Sequence, residues 1–279
     1  MKNYLKLVDF ELKRFINIYF VLIGLTIISQ ITGVILKSRD YLERANVAIY
    51  ENSLSLEQFI SQNGKLSIHQ LLQTGWFMIP IALSAAALIF YCFLIWYRDW
   101  FGKNTFIYRL LMLPTARLNV FLAKATAIFL MVLGLVGIQL ILLPIENTIF
   151  KSIIPVDLRM DMPLNEIING AGYGYLQILI PNSFVQFLIN YGIGFMMVFI
   201  LFTSILFERS FRIKGIIFGI VYYFVAVTVF LFPIMAEIYW GFGYLYPSEI
   251  FVLEIILGLL ITVFSIWLSN YLINQKVTV

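Results

Sequence analysis

The chain has 279 residues, of which 61% are hydrophobic and only 12% charged, against about 25% charged residues in an average soluble domain. With a mean hydropathy of +0.92, this excludes a water-soluble enzyme and implies an integral, polytopic membrane protein. The net charge of +4 follows membrane topology rather than a nucleic-acid footprint, so no nucleic-acid partner is expected.

Residues 2–16 are too polar to cross a bilayer but are patterned to lie on one. At ~100° per residue, Tyr4, Leu5, Val8, Leu12, Phe15 and Ile16 share one arc, with Lys2, Lys6 and Lys13 opposite. An amphipathic interfacial helix over 1–17 is therefore expected, its apolar face in acyl chains. The charges Asp9, Glu11, Lys13 and Arg14 before the first apolar run exclude a cleavable signal.

Six apolar runs follow, approximately Ile18–Leu36, Thr74–Tyr97, Leu118–Leu143, Phe184–Phe207, Ile213–Met235 and Glu249–Leu272. Each is close to the ~20 residues needed to span. None alternates or is as short as the roughly 10 residues of a barrel strand, and in lipid only helices then satisfy the backbone. The expected fold is all-α: a six-span transmembrane domain over 18–279, with Lys124 snorkelling near the start of its third span. Segments 37–73 and 144–182 are expected as outer loops, the second containing an irregular Gly170–Tyr175 stretch. The connection Glu237–Pro247 is short, aromatic and glycine-broken, suited to headgroup depth.

Orientation follows from the bases. Lys2, Lys6, Lys13 and Arg14 precede the first run, and Arg98, Lys103, Arg109, Arg117 and Lys124 lie in or beside the second connection. Arg209, Arg212 and Lys214 crowd the fourth, and Lys276 lies in the tail. The other side carries Lys37, Arg39, Arg44, Lys65, Lys151 and Arg159 over much longer loops. Both termini are thus expected in the cytoplasm.

Catalytic signatures are missing. No phosphate loop occurs, the single histidine, His69, excludes a two-histidine zinc site, and Gly-x-Ser-x-Gly is absent. No enzymatic activity, cofactor or metal is expected of this chain itself. The acids Asp99, Glu146, Glu208, Glu237 and Glu249 fall at span edges, and only Glu254 reaches inward. That placement disfavours an ion-coupled transporter. Glu254 is expected as an interfacial or bundle-facing acid with its hydrogen bonds satisfied.

The segment Arg98–Arg117 departs from the pattern of a cytoplasmic connection. It carries bases, yet it is loaded with Trp100, Phe101, Phe106, Ile107, Tyr108 and Leu110 to Leu113. Apolar anchors flanked by bases suit a short helix that enters a partner's groove, and Pro114 should end any helix there.

Asp99-x-x-Gly102, then Arg109-Leu-Leu-Met-Leu-Pro-Thr-Ala-Arg117, then Ala123-Lys124 entering a span, resembles the ABC-2-type permeases of ATP-binding-cassette exporters. The resemblance implies a transmembrane subunit of the bacterial cell membrane that pairs with a second permease, identical or paralogous. It would dock a separate nucleotide-binding ATPase subunit, which binds the ATP and Mg. Segment 98–117 would be the coupling helix, with Asp99, Trp100, Phe101, Gly102, Phe106, Tyr108, Arg109, Leu111, Pro114 and Arg117 as docking residues. Arg209, Arg212 and Lys214 would form a second contact. The expected cargo is an amphipathic or hydrophobic compound, such as a peptide, antimicrobial or lipid-like molecule. Alternatives are a membrane-embedded sensor or immunity protein that binds a ligand through its outer loops, and an ion-coupled transporter.

Overall fold

The computed structural model describes residues 2–101, 106–113, 115–169, 175–240 and 246–276. The architecture is helical: α1 (Lys2–Asn46), α2 (Leu56–Asn63), α3 (Ile68–Leu72), α4 (Gly75–Trp100), α5 (Phe106–Leu111), α6 (Leu118–Ile153), α7 (Leu164–Asn169), α8 (Tyr175–Leu179), α9 (Phe184–Trp240) and α10 (Pro247–Tyr271). A π-helical turn, Val47–Glu51, extends α1, and another, Leu272–Lys276, extends α10. The fold is all-α as expected, with one short addition: strands β1 (Leu66–Ser67) and β2 (Arg159–Met160) pair in parallel, with Leu66 opposite Arg159.

Five helical stretches among the described residues are long and apolar enough to cross a membrane, where six were expected. The difference is α9, which contains the fourth and fifth expected runs. Its backbone breaks once, at Arg212, with φ 54° and ψ −129°. The two arms, 184–211 and 213–240, then fold against each other. A Cβ placed on Gly219 would lie 2.6 Å from the Ser204 carbonyl oxygen, and Phe207 packs on Tyr222 with ring centroids 5.7 Å apart. Glycine is required at 219 for that approach.

The chain divides into two compact units: residues 1–14, 88–130 and 184–279, and residues 15–87 with 131–183. In the first, Trp96, Phe121, Phe199 and Phe202 form an aromatic core. A polar seam ties the first arm of α9 to α10, where the Thr203 and Ser269 hydroxyls lie 2.8 Å apart and Thr203 donates to the Ser265 carbonyl at 3.2 Å. Tyr222, from the second arm, reaches the Ser265 hydroxyl at 2.6 Å.

In the second unit, Gln30 of α1 and Gln139 of α6 exchange side-chain amide hydrogen bonds of 3.0 and 3.3 Å in a buried setting. Each amide satisfies the other where no water is at hand. Gly33 admits Trp76, and Gly134 lies beneath the Tyr19 hydroxyl. The segments expected as outer loops are not separate excursions. Tyr41, Phe59, Leu66, Ile68 and Leu72 share one buried core with Phe150, Ile154, Leu158, Ile167 and Leu176, and Tyr41 donates to the Gly64 carbonyl at 2.6 Å. The helices simply run on past the expected loop starts at 37 and 144, and the two loops cover each other's apolar residues. Residues 170–174, most of the irregular stretch, and 241–245, the middle of the aromatic connection, lie outside the described residues.

Candidate docking helix and buried ion cluster

The first helix does not stop at residue 17. α1 is continuous from Lys2 to Asn46, and its early turns bury Leu7, Val8 and Glu11 while Leu5 stays 62% exposed. The face expected in acyl chains is instead rotated onto protein, with Glu11 at its centre. A carboxylate in that position needs cations around it, because a buried unpaired charge is very costly.

They come from α4 and α6. Lys124 is fully buried and donates to Glu11 Oε1 at 2.6 Å, to the Ile95 carbonyl at 2.9 Å, and to Asp99 Oδ2. Its ammonium thus has an acceptor for each of its three protons, and it also lies 5.3 Å from the Trp96 ring centroid. Lys124 does not snorkel; two inward-facing acids hold it inside. Arg14 donates to Asp99 Oδ1 at 2.6 Å, and Arg98 reaches Glu11 Oε2 and the Tyr91 hydroxyl at 3.5 and 3.4 Å. Two acids and three bases therefore join α1, α4 and α6 in one network.

The cluster seats α5. The Arg14 guanidinium lies 5.0 Å from the Phe10 ring and 5.3 Å from the Phe106 ring, and these two rings stack 5.6 Å apart. Ile107, Leu110 and Leu111 are buried beneath the helix, whereas Arg109 is exposed and Met112 and Leu113 just beyond it are 71% and 40% exposed. Phe101, stacked on Tyr97, is 66% exposed.

The expected docking residues therefore separate by environment. Asp99 and Leu111 are interior and cannot meet a partner: the first is an ion-pair partner of Lys124 and Arg14, the second a core contact. Trp100, Phe106 and Tyr108 are half-buried, with Trp100 edge-on to Tyr108 at 6.3 Å. Arg117 turns back to donate to the Ile273 carbonyl at 3.1 Å. Gly102 and Pro114 lie outside the described residues. Phe101 and Arg109 remain on the surface, joined by Met112 and Leu113.

The second expected contact converges on the first. Arg209 lies over the rings of Tyr97, Trp100 and Phe101 at 4.8, 5.7 and 4.8 Å. Beside it, Tyr97 donates to Glu208. Arg209 is thus a packed cation–π residue, while Arg212 and Lys214 are exposed at the turn of α9. Glu11, Arg14, Arg98 and Lys124 were not among the expected site residues. Their signal was an acid inside an apolar helical arc together with a lysine inside an apolar run.

Acids expected at span edges also divide. Glu146 is fully buried in α6, and neither carboxylate oxygen has a hydrogen-bond partner among the described residues. Glu249 caps the start of α10 by accepting from the Tyr246 amide at 2.8 Å. The expectation of a satisfied Glu254 is corrected, since its Oε1 is buried without a partner among the described residues. Comparison with protein-family models, curated proteins and solved structures finds no match for this chain.

Proposed function

We propose that the chain is the membrane-spanning permease subunit of a bacterial ATP-binding-cassette exporter, resembling the ABC-2 type. It sits in the cell membrane with both termini inside, pairs with a second permease, and moves an amphipathic or hydrophobic compound. A separate ATPase subunit supplies the energy. On this reading the two arms of α9 cross the membrane separately, which would make six spans of the five apolar helical stretches.

One observation carries the reading. The short helix α5, between two long apolar helices, is fastened from behind and bare in front. Its inner side is fixed by Ile107, Leu110 and Leu111, and the ion cluster holds the helices around it. Its outer side offers Phe101, Arg109, Met112 and Leu113. An apolar surface fixed from behind and flanked by the exposed Arg109 suits a partner's groove and could pass force from that partner into the helices.

The test is recovery of a phosphate-loop ATPase, co-expressed from candidate genes, with the tagged chain. Met112→Asp and Phe101→Asp should abolish recovery while leaving the chain folded, whereas Leu111→Ala should lower stability first. Failure of every candidate ATPase to co-purify, together with no ATP-dependent transport in membranes, would overturn the reading. A second reading, a proton-coupled transporter, is favoured by the buried unpartnered Glu146. It would show transport that collapses with a protonophore and ignores ATP.

A further inference from the structure

Between the two arms of α9 and α10 lies a cleft of about 400 Å³, within the ~300–1,000 Å³ of typical small-molecule sites. Its walls are aliphatic and aromatic, with Met196 and Phe230 among them, and among the described residues no lysine or arginine lines it. Among those same residues, two polar side chains do. Thr262 is satisfied, donating to the Gly258 carbonyl at 2.7 Å. Glu254 is not: Oε1 is shut off from solvent and has no hydrogen-bond partner among the described residues. Glu254 stands seven residues beyond Pro247, so ~10 Å along the helix from its start, inside one of the apolar stretches long enough to span.

The floor is kept open by glycine. A Cβ at Gly192 would meet nothing within 4 Å, and one at Gly258 would touch the Phe230 ring at 3.5 Å and the Met196 sulfur at 3.8 Å. Any larger side chain at 258 would occupy the cleft itself. Among the described residues, apolar walls, one carboxylate and no cation form an incomplete set of partners. A carboxylate at this depth is costly when alone. The Phe230 ring and the Met196 sulfur are polarisable groups that suit a positive charge.

We infer that this cleft binds a lipophilic cation, a bulky apolar body carrying a single positive charge that pairs with Glu254. As a statement about cargo this rests on the exporter reading, but binding itself requires no ATPase. Apolar walls beside the carboxylate strengthen such a pair, and selectivity would follow from charge sign, since an anion there would face Glu254.

The probes are tetraphenylphosphonium and tetraphenylborate, which match closely in size and shape and differ in sign. With the full chain purified in a neutral detergent, the phosphonium should bind at least about tenfold tighter than the borate. Glu254→Gln keeps the shape and removes the charge; it should weaken phosphonium binding by a similar factor and leave the borate no weaker. Gly258→Leu should weaken both by filling the space. A monodisperse elution peak and unchanged helical circular dichroism identify folded variants, and Glu254→Gln carries the test alone if Gly258→Leu does not fold. Equal binding of both ions would mean an acyl-chain groove and overturn the proposal. So would an unaffected Glu254→Gln variant, or a wild-type chain that binds neither ion because a second copy covers the cleft. A chain that binds the phosphonium but recovers no ATPase would retain this site and discard the exporter reading.

Discussion

Replacing Lys124 by methionine keeps the length of the side chain and removes its charge and donors. Three acceptors lose their proton together: Glu11 Oε1, Asp99 Oδ2 and the Ile95 carbonyl. Arg14 still holds Asp99 at 2.6 Å, but Arg98 reaches Glu11 only at 3.5 Å, so Glu11 is the group left worst served. Removing one partner of a buried ion pair costs about 3–5 kcal/mol, and with Lys124 fully buried the full range applies. Unfolding by added denaturing detergent in mixed micelles, followed by far-ultraviolet circular dichroism, reads this directly. Glu11→Gln in the same background should be far from additive, with a coupling of at least about 1 kcal/mol, because the double variant no longer strands a charge. Wild-type stability in Lys124→Met, or additivity of the two changes within about 0.5 kcal/mol, would refute the assigned role of the network.

Two glycine contacts predict losses of different size and origin under the same change. Gly33→Ala puts a Cβ 2.5 Å from the Trp76 Cβ, which cannot swing aside, so the variant should lose roughly 1–3 kcal/mol in the same unfolding assay. Gly134→Ala meets only the Tyr19 hydroxyl at 2.2 Å, the free end of a ring that donates to the Met131 carbonyl at 3.0 Å; the loss should be about 1 kcal/mol and mostly absent when Tyr19→Phe is added. Arg212→Gly should stabilise by about 0.5–1 kcal/mol, since φ 54° strains an L-residue and suits glycine, and an unfolding midpoint below wild type would show that the exposed side chain holds the turn. Glu146→Gln should raise the midpoint by removing an unpartnered buried charge, and a fall would reveal a bound cation or proton-transfer partner.

The long helices were legible because apolar runs of spanning length have one outcome in lipid. The extension of α1 to Asn46 and of α6 to Ile153 was not, because nothing at Lys37 or Pro144 ends a helix. Proline at 144 sits inside α6, as a membrane helix tolerates when neighbours re-satisfy its backbone. The break at Arg212 was legible only as a short basic interruption. Its sharpness depends on Gly215 and Gly219 letting backbones touch, a tertiary fact. Segment 98–117 carries many apolar residues, and periodicity over so few residues could not divide it into inward and outward sides. Leu111 and Met112 are equally hydrophobic, and only the packing of α5 turns one inward and the other out. Asp99 and Lys124 looked like edge charges because span boundaries were drawn by hydropathy, which does not register that opposite charges cancel one another's burial cost.

The ion network also fixes an order of events during biosynthesis. Glu11 leaves the ribosome early, but the ammonium that completes its setting lies 113 residues later, roughly 6–23 s of synthesis at ~5–20 residues per second. Through that interval α1 holds an acid that the membrane interior does not welcome, and its early turns must wait at the lipid surface. The arrival of α6 is therefore the moment at which the beginning of the chain can be drawn into place. A nascent chain halted short of Lys124 should leave its N-terminal turns open to proteases that the finished protein resists.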